Sequence, residues 1–327
     1  MKARCAGRAG GTPASTDCTR VTGYLCMSLG GKSDAMRDGD ELTAAVTGGL
    51  LPRHADARSQ GLRLHCLVWG ADDDPTVLLV HGNGGHAHWW DPLISALVPG
   101  FRLIAPDLRG HGESDWSATP RYTIEDFSAD LLAIADQLAP QRFAIIAHSM
   151  GARAAAWFSA QQRDRVRGLA LLDTTLAGVD AETAQRWRGR VTGRRDGSTY
   201  PSRAAAVDAF RFVPPEDDVA APIVADLAHH AVCERDGKWT FRFDRAVLSL
   251  AGDRAGDLTD LVAGLPCPLW IGRGGKSMVI LRREVRILRD KHRDVEVHDF
   301  AGAHHFFLSD PASAGAGLRR FLDRLPP

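Results

Sequence analysis

The sequence predicts an α/β protein, built as a mostly parallel central sheet flanked by helices and interrupted by a helical insertion. Two observations carry this. Apolar runs of strand length alternate with helical patterns from Leu62 to Leu172 and resume at Pro268, the order expected of a parallel sheet. Between Asp173 and about Asp253 the alternation stops, and Trp187, Tyr200, Phe210, Phe212, Trp239, Phe241 and Phe243 lie scattered among charges. That stretch reads as a helical cap over the sheet edge.

The elements follow in order. Leu62–Trp69 alternates and ends at Gly70, as a strand does. Thr76–Val80 is a continuous apolar run, expected of a strand buried on both faces, and it leads into His81-Gly82-Asn83-Gly84-Gly85. Asp91-Pro92 offers a helix cap followed by proline at the first helical position. Phe101–Ala105 is the next strand. Thr123 caps a helix running to Leu138, with acidic residues in its first turn. Arg142–Ala147 is a strand and Met150–Ala160 an Ala-rich helix. Gly168–Leu172, Pro268–Ile271 and Val295–His298 are further strands, and Pro311–Leu325 is an amphipathic terminal helix.

Residues 1–51 look different. They are rich in small and polar residues, hold three of the six cysteines and show no sustained period. They are expected to be a disordered extension, or coding sequence read from too early a start, with Met27 and Met36 as alternative starts. The expected organisation is therefore an extension over 1–51, a core over 52–173 and 254–327, and a cap over 174–253.

Composition narrows the function classes. Lys plus Arg total 40 and Asp plus Glu total 40 in 327 residues, so the chain has no basic footprint for a nucleic-acid backbone. No apolar run approaches the roughly 20 residues of a membrane helix, so no stable membrane insertion is expected. The cysteines at 5, 18, 26, 66, 233 and 267 show no paired or zinc-ligand spacing, which points to a reduced, cytoplasmic setting. Nothing in the pattern implies a metal or organic cofactor, and nothing addresses oligomeric state.

The chemistry centres on Ala147-His148-Ser149-Met150-Gly151, between a strand and a helix. A turn that tight strains its central residue and lifts its side chain above the sheet, and it needs small residues two positions away on either side. Ala147 and Gly151 meet that need. Ser149 is thus a candidate nucleophile; a serine that merely caps the helix is the alternative. A serine hydroxyl needs a base. Ala301-Gly302-Ala303-His304-His305, on the loop after the last strand, offers two.

With these motifs in place, the chain resembles the α/β-hydrolase superfamily, in particular cap-containing serine hydrolases with a His-Gly oxyanion loop. The resemblance rests on His81-Gly82-Asn83-Gly84-Gly85, Asp107-x-Arg109-Gly110-x-Gly112-x-Ser114, Ala147-x-Ser149-x-Gly151 and Gly302-Ala303-His304 with Asp310-Pro311 downstream. It covers about residues 52–327 in the family's chain order. It implies that the base is the first histidine of the pair, His304, and that Asn83 and Met150 supply the oxyanion N–H groups. Many members carry the acid after the strand at 268–271, but here that run reads Gly274-Gly275-Lys276-Ser277-Met278 and lacks one. The family's other location, the end of the preceding strand, selects Asp173. Glu284 is the alternative, and a Ser-His dyad the remaining one. Gly84, Trp89, Trp90, His148, Trp187 and Phe210 are the candidate pocket residues. For Trp89 and Trp90 the competing role is core packing, and for His148 packing beneath the turn. Asp107, Arg109 and His111 are expected to knit loops around the site.

The resemblance implies hydrolysis of an ester, lactone, thioester or related small-molecule carbonyl compound through an acyl-enzyme. A C–C bond hydrolase, lyase or acyltransferase on the same scaffold is a rival. A ligand-binding homologue with a vestigial triad is another.

Overall fold

The computed structural model describes residues 37–119, 121–177, 199–248, 255–277, 279 and 282–326. Its centre is an eight-stranded sheet, ordered β1-β2-β4-β3-β5-β6-β9-β10. These strands are β1 Arg53–Ser59, β2 Leu62–Trp69, β3 Thr76–Val80, β4 Arg102–Pro106, β5 Phe143–His148, β6 Val166–Leu172, β9 Leu269–Gly274 and β10 Val295–Phe300. β2 runs antiparallel to both neighbours, and every pair from β4 to β10 is parallel.

The strand period of two divides the core between the faces. Leu78, Val80, Ile145 and Ala147 join one apolar cluster, with Phe127 and Leu131 of helix α3 (Ile124–Leu138) and the alanines of α4 (Ser149–Gln161). Val77, Leu79, Ala144 and Ile146 join the other. There they meet Leu93 and Leu97 of α2 (Asp91–Leu97) and Leu318 and Phe321 of the terminal helix Pro311–Asp323. All five residues of β3 are buried, as its unbroken apolar run requires. Thr123 caps α3 through a reciprocal box with Asp126. Asp91 makes no capping bond; it is the first residue of α2 and is buried there.

Three features depart from the sequence reading. A strand, β1, precedes Leu62. Its sequence Arg-His-Ala-Asp-Ala-Arg-Ser is polar because it lies at the sheet edge and buries only Ala57 and Ser59. The extension expected over 1–51 is ordered in its last part, where Asp40–Thr47 forms α1. Thr43 and Thr47 are its buried residues, and the Thr43 hydroxyl donates to Asp226 Oδ1 at 3.0 Å. A polar anchor of this kind leaves no apolar period to read. The expectation for residues 1–36 falls outside the described residues.

Within the span expected to be a helical cap, the described residues 199–248 are mixed rather than helical. Helices Arg203–Asp208 (α5) and Ala221–His230 (α6) are followed by an antiparallel hairpin, β7 Val232–Arg235 and β8 Lys238–Phe241. Its two-residue loop, Asp236-Gly237, has φ of 53° and 70°. Asp-Gly suits a turn that needs positive φ at both positions.

Candidate active site

Ser149 stands where β5 meets α4, with φ of 53°. That left-handed value is costly for a residue with a side chain, and the surroundings hold it in place. A Cβ at Gly151 would run into the His81 carbonyl oxygen, and one at Gly82 would lie 2.8 Å from His148 Nδ1 and 3.0 Å from Ser149 Cβ. Only glycine lets these segments approach so closely. The Thr174 hydroxyl donates to the Ser149 carbonyl at 2.8 Å and ties the turn to the end of β6.

His304 lies on the loop between β10 and the short helix Phe306–Ser309. Its Nε2 is 3.0 Å from Ser149 Oγ and its Nδ1 is 2.7 Å from Asp173 Oδ2. An ionised carboxylate can only accept, so Nδ1 carries the proton and Nε2 presents a lone pair to the serine hydroxyl. Asp173, fully buried at the end of β6, has φ of 42°. Its Oδ1 accepts the Gly274 N–H at 3.0 Å and its Oδ2 accepts the Ser277 hydroxyl at 2.5 Å. The segment after β9, which lacks an acid, instead supplies donors that hold the acid from β6. Glu284 does not face the histidine. Its carboxylate accepts the Thr175 hydroxyl at 2.7 Å and the Leu176 N–H at 2.8 Å, so it anchors the loop after Asp173. Arg153 supports the same loop by donating to the carbonyls of Thr175, Leu176 and Ala177.

The loop bearing His304 is gripped by Glu216. Glu216 Oε1 accepts the Ala303 N–H at 2.7 Å and Oε2 accepts the His305 N–H at 2.7 Å. The Ser309 hydroxyl donates to Oε1 at 2.7 Å. A single acid in a charged insertion gives no spacing signal, and the sequence reading passed over both Glu216 and Ser277. His305 itself points elsewhere, packing edge-on against Trp89 with ring centroids 5.0 Å apart. Burial, with His304 and His148 close by, holds its imidazole well below the usual histidine range. His148 lies beneath the turn, its Nε2–H donating to the His304 carbonyl at 3.0 Å. Burial and the neighbouring His304 likewise keep it neutral.

Met150 is the second residue of α4, so its N–H belongs to the first turn, where helical partners are lacking and the dipole is positive. Asn83 is the second residue of a turn closed by the Gly85 N–H on the Gly82 carbonyl at 3.1 Å, a position whose N–H the turn leaves unused. Gly84, third in that turn, has φ of 72°. Its N–H donates to His111 Nε2 at 3.1 Å, while His111 Nδ1–H donates to the Arg109 carbonyl at 3.0 Å. Burial, aided by His81, pushes His111 down to about 3, so it stays a neutral acceptor for the loop. The Asn83 side chain donates to the Val247 carbonyl at 3.2 Å.

Asp107 accepts from the Ala87 N–H at 2.7 Å, the Glu113 N–H at 2.9 Å and His65 Nδ1 at 2.8 Å. Burial works to raise this carboxyl, but the bonds and charge from His65 outweigh it and hold it far below the usual range. Arg109 forms a two-pronged pair with Asp130, at 2.6 Å on each arm. These residues knit loops.

Among the remaining pocket candidates, Trp89 stacks on His148 at 6.3 Å and meets Phe212 edge-on at 5.9 Å, and Phe210 packs on Phe212 in turn. Trp90 is fully buried, stacked on Phe307, in the core on that face of the sheet. Trp187 lies outside the described residues. Two open clefts, of about 420 and 750 Å³, lie elsewhere and contain none of Ser149, His304 and Asp173. Charged side chains line both, which suits solvated grooves better than an acyl pocket.

Among the described residues, three groups bring metal-ligating atoms together: His148 with His304 and His305, His54 with His65 and Glu113, and His88 with Asp226 and His230. In the first, both nitrogens of His304 and the Nε2 of His148 are already bonded. Among the described residues no helix is long and apolar enough to cross a membrane.

Comparison with known proteins identifies the fold family. The family model described as alpha/beta hydrolase fold matches residues 75–217. Esterase Rv0045c of Mycobacterium tuberculosis is 30% identical over 282 residues, which cover 82% of this chain and 91% of that protein. Lipase LipV of the same organism is 31% identical over 263 residues, covering 79% and 97%. A solved structure of the Rv0045c esterase superposes with a TM-score of 0.69 at 27% identity, covering 88% of this chain and all of the other. With the sheet order, the strained serine turn and these likenesses together, the chain belongs to the α/β-hydrolase family.

Proposed function

We propose that this hydrolase is a serine esterase-type enzyme acting on small carbonyl substrates through an acyl-enzyme. The observation that carries the reading is the unbroken hydrogen-bonded line from Ser149 Oγ through His304 to Asp173 Oδ2, at 3.0 and 2.7 Å. In this reading Ser149 Oγ attacks the carbonyl carbon while His304 Nε2 takes the hydroxyl proton. Asp173 holds the imidazole in the correct tautomer and stabilises the imidazolium. The oxyanion is received by the N–H groups of Asn83 and Met150, at the positive end of α4. His304 returns the proton to the leaving group, and water, activated by the same histidine, releases the acid. The named esterase and lipase among the relatives support ester substrates.

A fluorophosphonate probe tests this directly. Intact protein should take one equivalent of label, with hydrolysis of short-chain aryl esters lost in step. Ser149→Ala should abolish both. Stoichiometric labelling of Ser149→Ala, or an unlabelled wild-type chain beside a labelled control hydrolase, would overturn the assignment.

A further inference from the structure

Away from the serine, a polar cluster is buried where α1, the core and the cap meet. Asp226 and His230 stand one turn apart on the helix Ala221–His230, so both side chains project from the same face. His88, on the short helix Ala87–Trp90, faces them, its ring stacked on that of His230 with centroids 3.5 Å apart. One nitrogen or oxygen from each of the three lies within 4.8 Å of the other two. The Thr43 hydroxyl adds a bond of 3.0 Å to Asp226 Oδ1 and sits 3.0 Å from His230 Nε2. Behind them, His88 Nδ1–H donates to Asp91 Oδ2 at 2.8 Å, which leaves Nε2 as the lone-pair nitrogen. Asp91 and Asp226 are each fully buried, and no N–H or hydroxyl reaches Asp91 Oδ1 or Asp226 Oδ2; the two carboxyls bond to each other instead, and burial with the Asp226 charge raises the Asp91 carboxyl well above the usual range.

Two buried carboxyls side by side are costly unless a proton or a cation lies between them, and the other side chains that reach them are His88, His230 and Thr43, none of them a lysine or arginine. A divalent cation would replace the proton that Asp91 and Asp226 share and balance both carboxylates. We propose that His88, Asp226 and His230 form a binding site for a divalent transition-metal ion of the zinc type, with Asp91 as the outer carboxylate that orients His88. Two imidazoles and one carboxylate are a donor set that zinc favours. A carboxylate on the far nitrogen of a ligating histidine is the usual support for such a ligand. The side chains of His88 and His230 are 13% and 15% exposed, which gives an ion a way in. An ion lies in the plane of each imidazole it binds, so the two rings must tilt out of their stack to receive it. Bound there, the metal would staple the cap helix to the core. The proposal does not depend on the role of Ser149.

The full chain, stripped with EDTA, is titrated with Zn²⁺ by calorimetry, and thermal unfolding is followed with and without the metal. One equivalent should bind, the Tm should rise because only the folded chain holds the site, and Co²⁺ should give the visible absorption of a low-coordinate nitrogen and oxygen site. Asp226→Asn and His230→Gln should each weaken binding at least about tenfold, and Asp91→Asn by about 10–100-fold. Both ligand variants keep side-chain size, and far-UV circular dichroism checks that they fold. Should one fail to fold, His88→Gln at the partly exposed rim serves in its place. No saturable binding by the wild-type chain would overturn the site, and would leave a proton shared between Asp91 and Asp226 to balance the charge. Binding of unchanged strength in the variants would overturn it equally.

Discussion

The Ser277 hydroxyl donates to Asp173 Oδ2 at 2.5 Å, the same oxygen that accepts His304 Nδ1–H. The carboxylate is therefore held by two loops, its own after β6 and the one after β9. Loss of the orienting charge and loss of one of its supports should differ in scale. Asp173→Asn should lower kcat by about 10⁴-fold, the effect of a wrong histidine tautomer. Ser277→Ala removes one hydrogen bond to a charged group, worth about 1.5–3 kcal/mol, and should lower kcat by roughly 10–100-fold. Steady-state kinetics on one aryl ester would rank the two variants, and near-normal turnover in Asp173→Asn would remove that residue from the mechanism.

Glu216 acts on the other side of the histidine. Its two oxygens hold the N–H groups of Ala303 and His305, the residues flanking His304. Glu216→Gln would turn an amide NH₂ toward at least one of these donors. His304 would then be less well aligned with Ser149 although no reacting group has been removed. A kcat about 10–100-fold lower is expected, from the loss of charge-assisted bonds, with KM little changed and fluorophosphonate labelling slowed by the same factor. An unchanged labelling rate would reduce Glu216 to a structural role.

The parts of the site that were legible in the sequence are those with a local steric or topological cause. Ser149 could be found because its turn admits only small residues at 147 and 151, and His304 because its loop follows the last strand. Asp173 needed the resemblance, since Met278 stands where that resemblance first places the acid. What escaped the reading acts through distant contacts. Glu216 is separated by 87 residues from the Ala303 N–H that it binds, and nothing near it in sequence marks it. β1 is an edge strand that buries too little to show a period. The hairpin after Ala231 also escaped the reading: Asp236-Gly237 is a strong two-residue turn signal, but the charges around it obscured the strands.

Close approach makes Gly151 a sensitive position. Its missing side chain leaves room for the His81 carbonyl, and a Cβ there also comes 2.9 Å from the Val80 carbonyl oxygen. Both obstacles are backbone atoms of β3 and its extension, which cannot rotate away. Gly151→Ala should therefore push α4 off the sheet and destabilise the fold by about 1–3 kcal/mol, seen as a lower urea midpoint. Gly237→Ala is the contrast. A Cβ there meets no atom within 4 Å, so its cost is confined to the strain of a φ of 70°. A smaller loss at 151 than at 237 would show that α4 accommodates the methyl group.

His111 offers a test of stability against pH. Burial pushes it down to about 3, from an ordinary value of 6.5. As the pH falls below 6.5 the unfolded chain takes up this proton and the folded chain does not, so stability is complete above 6.5 and declines toward 3. The slope is about 1.4 kcal/mol per pH unit for each such histidine. His86, also pushed to about 3 by burial, adds to the same decline. His65 is raised, as its bond and charge partnership with Asp107 outweighs burial, and works in the opposite sense. It is present in both proteins of the comparison and cancels. His111→Gln keeps an acceptor for the Gly84 N–H but has no proton to gain. Between pH 6 and 4.5 its unfolding free energy, from urea titrations, should fall less steeply than that of the wild-type chain by about 1.4 kcal/mol per unit. Parallel curves for the two proteins would mean that His111 is protonated in the fold, and that the Gly84 loop is held by some bond other than the one to its Nε2.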